Sequence, residues 1–147
     1  MANAVTEALR QRIYSLCSAY GQGKLDFVLN FVDDDVDFVS YAPITIFPCL
    51  GRQRGKAAVA KSIETIHAHY EFLSYMPIFM VAEENDAAVI VMARMKQRAT
   101  GRIIQTLFAQ FVRFRDGRIV EFREFLDSFD AVEQVLGREI EIDPDEN

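Results

Sequence analysis

Residues 103–127, IIQTLFAQFVRFRDGRIVEFREFLD, read as two long strands joined by a tight turn at Arg115-Asp116-Gly117. Two turns suit this stretch: a two-residue loop at Asp116-Gly117, and a three-residue loop with Gly117 in a left-handed bulge. They give opposite faces, because a slip of one residue inverts every side chain of a strand. The three-residue loop sets Phe108, Gln110, Val112 and Phe114 beside Val120, Phe122, Glu124 and Leu126, a face that is apolar except for Gln110 and Glu124. Leu107, Ala109, Phe111 and Arg113 then share the other face with Ile119, Glu121, Arg123, Phe125 and Asp127. The two-residue loop would scatter charges among aromatics on both faces. The three-residue loop is therefore expected, and it makes Glu124 a carboxylate inside an apolar concavity.

The rest of the chain supplies what would cover that face. Leu9, Ile13, Leu16 and Tyr20 recur at helical spacing over residues 4–20, and Gly21 and Gly23 end the helix. A short helix is expected over 25–32, followed by a solvated turn at Asp33-Asp34-Asp35. Val36 to Tyr41 alternates as a strand with Val36, Phe38 and Ser40 on one side. Residues 42–55, with two prolines and two glycines, read as a loop on a pocket rim. A third helix is expected over about 57–73, carrying Val59, Ile63, Ile66, Tyr70 and Leu73. His67 and His69 lie off that stripe and face different ways, as packing or surface residues rather than ligands. Strands follow over Pro77–Ala82 and Ala87–Gln97, then the hairpin, a short helix over Phe129–Leu136 and a mobile acidic tail from about 138.

Composition bounds the function. The 147 residues form one expected domain, with half the residues hydrophobic and 12% aromatic, enough for a sizeable core. A net charge of −6 without a basic run argues against nucleic-acid binding. Cys17 and Cys49 have neither metal-site nor disulfide-framework spacing. No leader and no apolar run of ~18 residues is seen, so a cytoplasmic protein without membrane contact is expected. No glycine-rich phosphate loop or ligand cluster calls for a cofactor or metal.

The segments AYGQGKLDFVLNFVDDD, DFVSYAPITIFPCLGRQRGKAAVAKSI and GRIIQTLFAQFVRFRDGRIVEFREFLD, in this order of helices and strands, resemble the nuclear transport factor 2-like superfamily, nearest its SnoaL-like and ketosteroid isomerase-like members. The resemblance covers roughly residues 6–136. It implies an α+β, cone-shaped fold in which about three N-terminal helices pack on a curved, mostly antiparallel sheet enclosing a pocket. It also implies a homodimer through the outer sheet face, at Leu107, Ala109, Phe111 and Phe125. In ketosteroid isomerases the general-base aspartate falls at the position matching Ser40. Their oxyanion-hole tyrosine falls at or near Leu16, with Tyr20 one turn away, and their protonated aspartate at Gln110. Limonene epoxide hydrolases resemble the chain at FREFL, which places a catalytic carboxylate at Glu124; their second acid and arginine would fall near Ala93 and Val91.

From these residues the expected catalytic pair is Glu124, a proton-transfer group, and Gln110, an amide donor to an oxygen. The alternative for Glu124 is a buried structural carboxylate satisfied by its neighbours. Leu16, Tyr20, Phe38, Ser40, Tyr41, Phe108, Phe122 and Leu126 are expected to line the site around a small apolar ligand. The chemistry implied is cofactor-free isomerase, cyclase or lyase chemistry, against a non-catalytic binding or interaction module.

Overall fold

The protein, described here from a computed structural model over residues 3–146, is built on one six-stranded sheet. In chain order the elements are α1 (Ala4–Gly21), α2 (Leu25–Leu29), β1 (Val32–Ser40), β2 (Gly51–Arg54), α3 (Lys56–His69), β3 (Tyr70–Glu83), β4 (Asp86–Gln97), β5 (Ile103–Arg115), β6 (Arg118–Leu126), α4 (Ser128–Leu136) and a 3-10 turn at Pro144–Glu146. The strands lie in the order β2-β1-β6-β5-β4-β3. Only the β1–β6 pair is parallel. The fold is thus α+β with a mostly antiparallel, open sheet. The acidic segment is described to Glu146; Asn147 lies outside the described residues.

The hairpin turn corrects the expected loop. Arg115 pairs with Arg118, and Asp116 and Gly117 both have positive φ (52° and 75°), the requirement of a two-residue type I′ turn. Such a turn alone would have sent Glu124 outward. A bulge restores the inner face: Phe114 pairs with Ile119 and Arg113 with Glu121, so Val120 is the extra residue. Ile119, assigned to the outer face by the three-residue loop, instead packs into the core, while Phe122 and Glu124 keep their expected side.

β3 is longer than expected, and α3 correspondingly shorter. Tyr70 and Leu73 continue the apolar spacing of α3, but the helix stops at His69 because Tyr70 adopts extended backbone. The Arg98 guanidinium donates to the carbonyl of His67 and satisfies that helix end. β3 is an edge strand and therefore tolerates Pro77. It carries two bulges, at Leu73 and Ile78, so the residues opposite the buried side chains of β4 run Tyr70, Phe72, then Tyr75, Pro77, then Met80, Ala82. β1 begins at Val32 rather than Val36, taking in the Asp33-Asp34-Asp35 run through an irregular register. β2 falls inside the stretch read as loop.

Helices cover the inner face. Asn3 caps α1 by accepting the Thr6 N–H at 2.8 Å. Leu9, Ile13, Leu16 and Cys17 pack from α1 on Val89, Val91, Val112 and Phe114. Val59 and Ile63 of α3 pack on Val32 and Val36. His67, a packing residue as expected, has one ring nitrogen 2.9 Å from the Tyr20 carbonyl oxygen and the other 3.0 Å from that of Ile63, joining α3 to the end of α1. Gly21 allows α1 to approach β3 closely, since a Cβ there would meet the Tyr75 Cβ at 3.0 Å. At the far end Asp127 caps α4, whose Ala131 and Val135 are buried. No helix among the described residues is long and apolar enough to cross a membrane.

Candidate functional site

Three polar side chains form a rung across the inner face. In the sheet register Ser40 lies opposite Glu124 across the parallel β1–β6 pair, and Gln110 lies opposite Glu124 across the β5–β6 pair. Adjacent strands are ~5 Å apart, within reach of side-chain hydrogen bonds. Ser40 Oγ donates to Glu124 Oε2 at 2.8 Å, and Gln110 Nε2 donates to Glu124 Oε1 at 3.1 Å. All three are buried: Ser40 is 2%, Gln110 5% and Glu124 9% exposed. Gln110 Nε2 also donates to Tyr75 Oη at 2.7 Å, which extends the rung to β3. Val91 and Ala93, on the strand between, are short and fully buried.

The rung borders two adjoining cavities. The larger, about 110 Å³, is lined by Leu16, Cys17 and Tyr20 of α1, Phe38 of β1, and Ile119, Phe122 and Glu124 of β6, with Tyr75 and Gln110. The smaller, about 50 Å³, lies beside Tyr20 and Glu124 among Phe47, Tyr70, Phe108 and Leu126. Tyr20, Leu50 and Glu124 line both. Glu124 is the one charged residue type in either lining. Phe38 and Phe122 stack at 4.5 Å with planes 3° apart, forming a flat apolar wall. The Tyr20 ring packs on Tyr75 at 4.7 Å and edge-on to His67 at 4.6 Å, which fixes it between α1, α3 and β3.

This environment sets the acid–base behaviour. Burial raises the Glu124 carboxyl above its ordinary range, and the hydrogen bonds from Ser40 and Gln110 oppose that rise. Burial, with the Glu124 charge adding to it, lifts the Tyr20 and Tyr75 hydroxyls far above the usual phenol range, so both remain protonated donors. Burial pushes the Cys17 thiol up to about 12. Among the described residues no cluster of three His, Cys, Asp or Glu is placed to hold a metal ion.

Of the residues singled out in the sequence, Glu124, Gln110, Ser40, Leu16, Tyr20, Phe38 and Phe122 meet at the larger cavity, where Ser40 enters through its bond to Glu124. Phe108 and Leu126 border the smaller one. Tyr41 does not belong to the site. It is 52% exposed and stacks on Phe125 at 4.5 Å on the outer face, because Ser40 points inward and its neighbour must point out. Arg94, exposed on the outer face of β4, is likewise remote, and Val91 and Ala93 leave the epoxide-hydrolase pattern with Glu124 alone. Tyr75 and Cys17 were missed. Cys17 follows Leu16 on the helical stripe and could have been read there, whereas Tyr75 reaches the site only through the bulge at Leu73.

The chain matches the SnoaL-like domain family over residues 13–122. No curated protein matches it. Among solved structures it is similar to a candidate isomerase from Rhodopseudomonas palustris, with 30% identity over 94% of this chain and 100% of that one and a TM-score of 0.79. It is also similar in fold to an LEH-like epoxide hydrolase from M. tuberculosis, with 16% identity over 90% and 92% of the two chains and a TM-score of 0.73. A third similar fold is IdmH, a candidate polyketide cyclase from Streptomyces antibioticus, with 21% identity over 88% and 98% and a TM-score of 0.73. With three quarters of its length matched and the sheet, helices and buried rung in place, the chain belongs to the SnoaL-like family, on the NTF2-like fold.

Proposed function

We propose that this protein holds a small, mostly apolar, oxygen-bearing molecule against Glu124 and moves a proton on it, in isomerase, cyclase or lyase-type chemistry. The observation that carries the reading is a single buried carboxylate bordering both cavities, its proton held more tightly than an ordinary glutamate's. Such a group gives and takes protons nearer neutrality than a solvated one. Tyr75 and Tyr20 supply hydroxyl donors that are not charged, while Gln110 holds Glu124 and Tyr75 in place. The stacked Phe38 and Phe122 suit a flat ring. An apolar cavity of ~150 Å³ accepts one benzene, so the larger cavity, about 110 Å³, limits the ligand to a single small ring. The names of the similar structures, an isomerase, an epoxide hydrolase and a polyketide cyclase, agree with this chemistry.

The test is hydrogen–deuterium exchange alpha to the carbonyl of cyclohexanone and 2-cyclohexenone, followed by proton NMR. The expected result is exchange faster than in buffer for the wild type and lost in Glu124→Gln. A second reading, a non-catalytic ligand carrier, is favoured by one observation: both Glu124 oxygens already accept hydrogen bonds from the protein. Saturable ketone binding without accelerated exchange would select it and overturn the enzymatic reading.

A further inference from the structure

Gln110 carries the two hydrogens of one amide nitrogen, and both are committed, to Glu124 Oε1 at 3.1 Å and to Tyr75 Oη at 2.7 Å. Tyr75 is therefore an acceptor in this pair. Its own hydroxyl hydrogen finds no acceptor among the described residues, and the side chain lines the larger cavity together with Glu124. An ionised carboxylate only accepts hydrogen bonds, so it holds the amide in this orientation. A protonated carboxyl donates. The buried Ser40 hydroxyl has no other acceptor among the hydrogen bonds of the described residues, so its bond keeps Oε2 as an acceptor and favours the proton on Oε1, facing Gln110. A half-turn of the amide then presents its carbonyl oxygen, which has two lone pairs, to both the Glu124 and the Tyr75 O–H groups.

We infer that Gln110 is a positioning residue that ties the protonation state of Glu124 to the direction of the Tyr75 hydroxyl. With Glu124 ionised, the Tyr75 hydrogen is free for an acceptor oxygen in the cavity. With Glu124 protonated, that hydrogen turns back to Gln110. The inference rests on the reading that the cavity takes a small ligand, and it narrows the class: a ring compound presenting an acceptor oxygen, such as a ketone, bound in preference when Glu124 is ionised. The groups packed around the rung do not blur this coupling with a second charge. They are Tyr20 and Cys17 from α1, Tyr70 from the start of β3 and Cys49 from the loop before β2, and each has its ionisation pushed upward by burial. His67 of α3 lies against the Tyr20 ring.

The test uses carbon-13 NMR of the Glu124 carboxyl and the Tyr75 Cζ across a pH titration. In the wild type the Tyr75 signal should move with the Glu124 midpoint. In Gln110→Met, where the Glu124 carboxyl is retained, it should lose that step. A Tyr75 signal that is flat in the wild type, or that titrates unchanged in Gln110→Met, overturns the inference. A second arm measures cyclohexanone binding on either side of the Glu124 midpoint. The ketone should bind several-fold more tightly above the midpoint, saturating ketone should lower the midpoint by the logarithm of the same factor, and Tyr75→Phe should bind it equally on both sides. Equal or tighter wild-type binding below the midpoint overturns the inference. Failure of cyclohexanone to bind at any pH, with the Tyr75 signal still following Glu124, overturns the small-ketone reading while supporting the amide coupling.

Discussion

Ser40→Ala removes the shorter of the two hydrogen bonds to Glu124, the 2.8 Å bond from Ser40 Oγ to Oε2, at a site where both residues are buried. The substitution deletes one oxygen atom, so packing changes little and the electrostatic loss dominates. A hydrogen bond to a charged group contributes about 1.5–3 kcal/mol, against about 0.5–1.5 kcal/mol for a neutral pair. The ionised form of Glu124 therefore loses roughly 1–2 kcal/mol more than the protonated form. At 1.36 kcal/mol per pH unit, the carboxyl midpoint should rise by about one unit. Stability must change by the same cycle. Glu124 already binds its proton more tightly in the folded than in the unfolded chain, so its contribution is fully present below the unfolded value and is lost as pH rises through the folded midpoint. In Ser40→Ala that loss should extend further upward, making the variant less stable than the wild type by ~1–2 kcal/mol more at about pH 8 than at about pH 4. Urea unfolding at the two pH values and carbon-13 titration of the carboxyl measure the two sides independently. A midpoint that is unchanged or lowered would refute the account of Glu124 as a buried carboxylate held by Ser40.

Gly21→Ala should destabilise the fold, because overpacking of about 1–3 kcal/mol against the Tyr75 Cβ exceeds the helix-propensity gain of ~1 kcal/mol; urea unfolding at least as resistant as wild type would contradict the close approach of α1 to β3. Cys17, with its thiol pushed up to about 12 and buried, should resist iodoacetamide at about pH 8 in the folded protein, with Cys49 modified first. Peptide mass mapping reads this directly, and Cys17 labelled as fast as Cys49 would count against its burial. The outer sheet face leaves Leu107, Phe111 and Phe125 exposed at 51%, 51% and 44%, and we propose that it pairs two copies of the chain. Sedimentation equilibrium should give twice the chain mass for wild type and a lower mass for Phe111→Arg; a monomeric wild type rules the pairing out.

The hairpin carried most of what the sequence disclosed about both fold and site. Gln110 and Glu124 are opposite each other in the register, and the apolar neighbours of each, Phe108, Val112, Phe122 and Leu126, are the neighbours expected. The facing was expected but the register was not: the three-residue loop sets Gln110 across from Phe122 and diagonal to Glu124, whereas the two-residue turn followed by a bulge sets Gln110 directly opposite Glu124. The two assign the same faces from Phe122 onward while disagreeing at Ile119 and Val120. Alternation is a local rule, and a bulge hides inside it without any residue type of its own. The same concealment removed Tyr75 from view, since even positions face inward at Tyr70 and Phe72 but odd ones at Tyr75 and Pro77. The apolar spacing that continued from α3 through Tyr70 and Leu73 added a competing helical period in the same stretch. Tyr41 failed for the opposite reason, as alternation held there and Ser40 already occupied the inward position.

The extra residue at Val120 also makes the cavity wall sensitive to counting rather than to chemistry. Removing Val120 would abolish the bulge and leave Glu124 opposite Gln110, because Arg113 pairs with Glu121 either way. Adding one residue after the bulge, with no second bulge to absorb it, would put Arg123 in place of Glu124 on the cavity wall and turn the carboxylate to the outside. Adding two would keep it facing inward. For anyone aligning or redesigning chains of this kind, the parity of the segment after the bulge is therefore as informative as the identity of the acid it delivers.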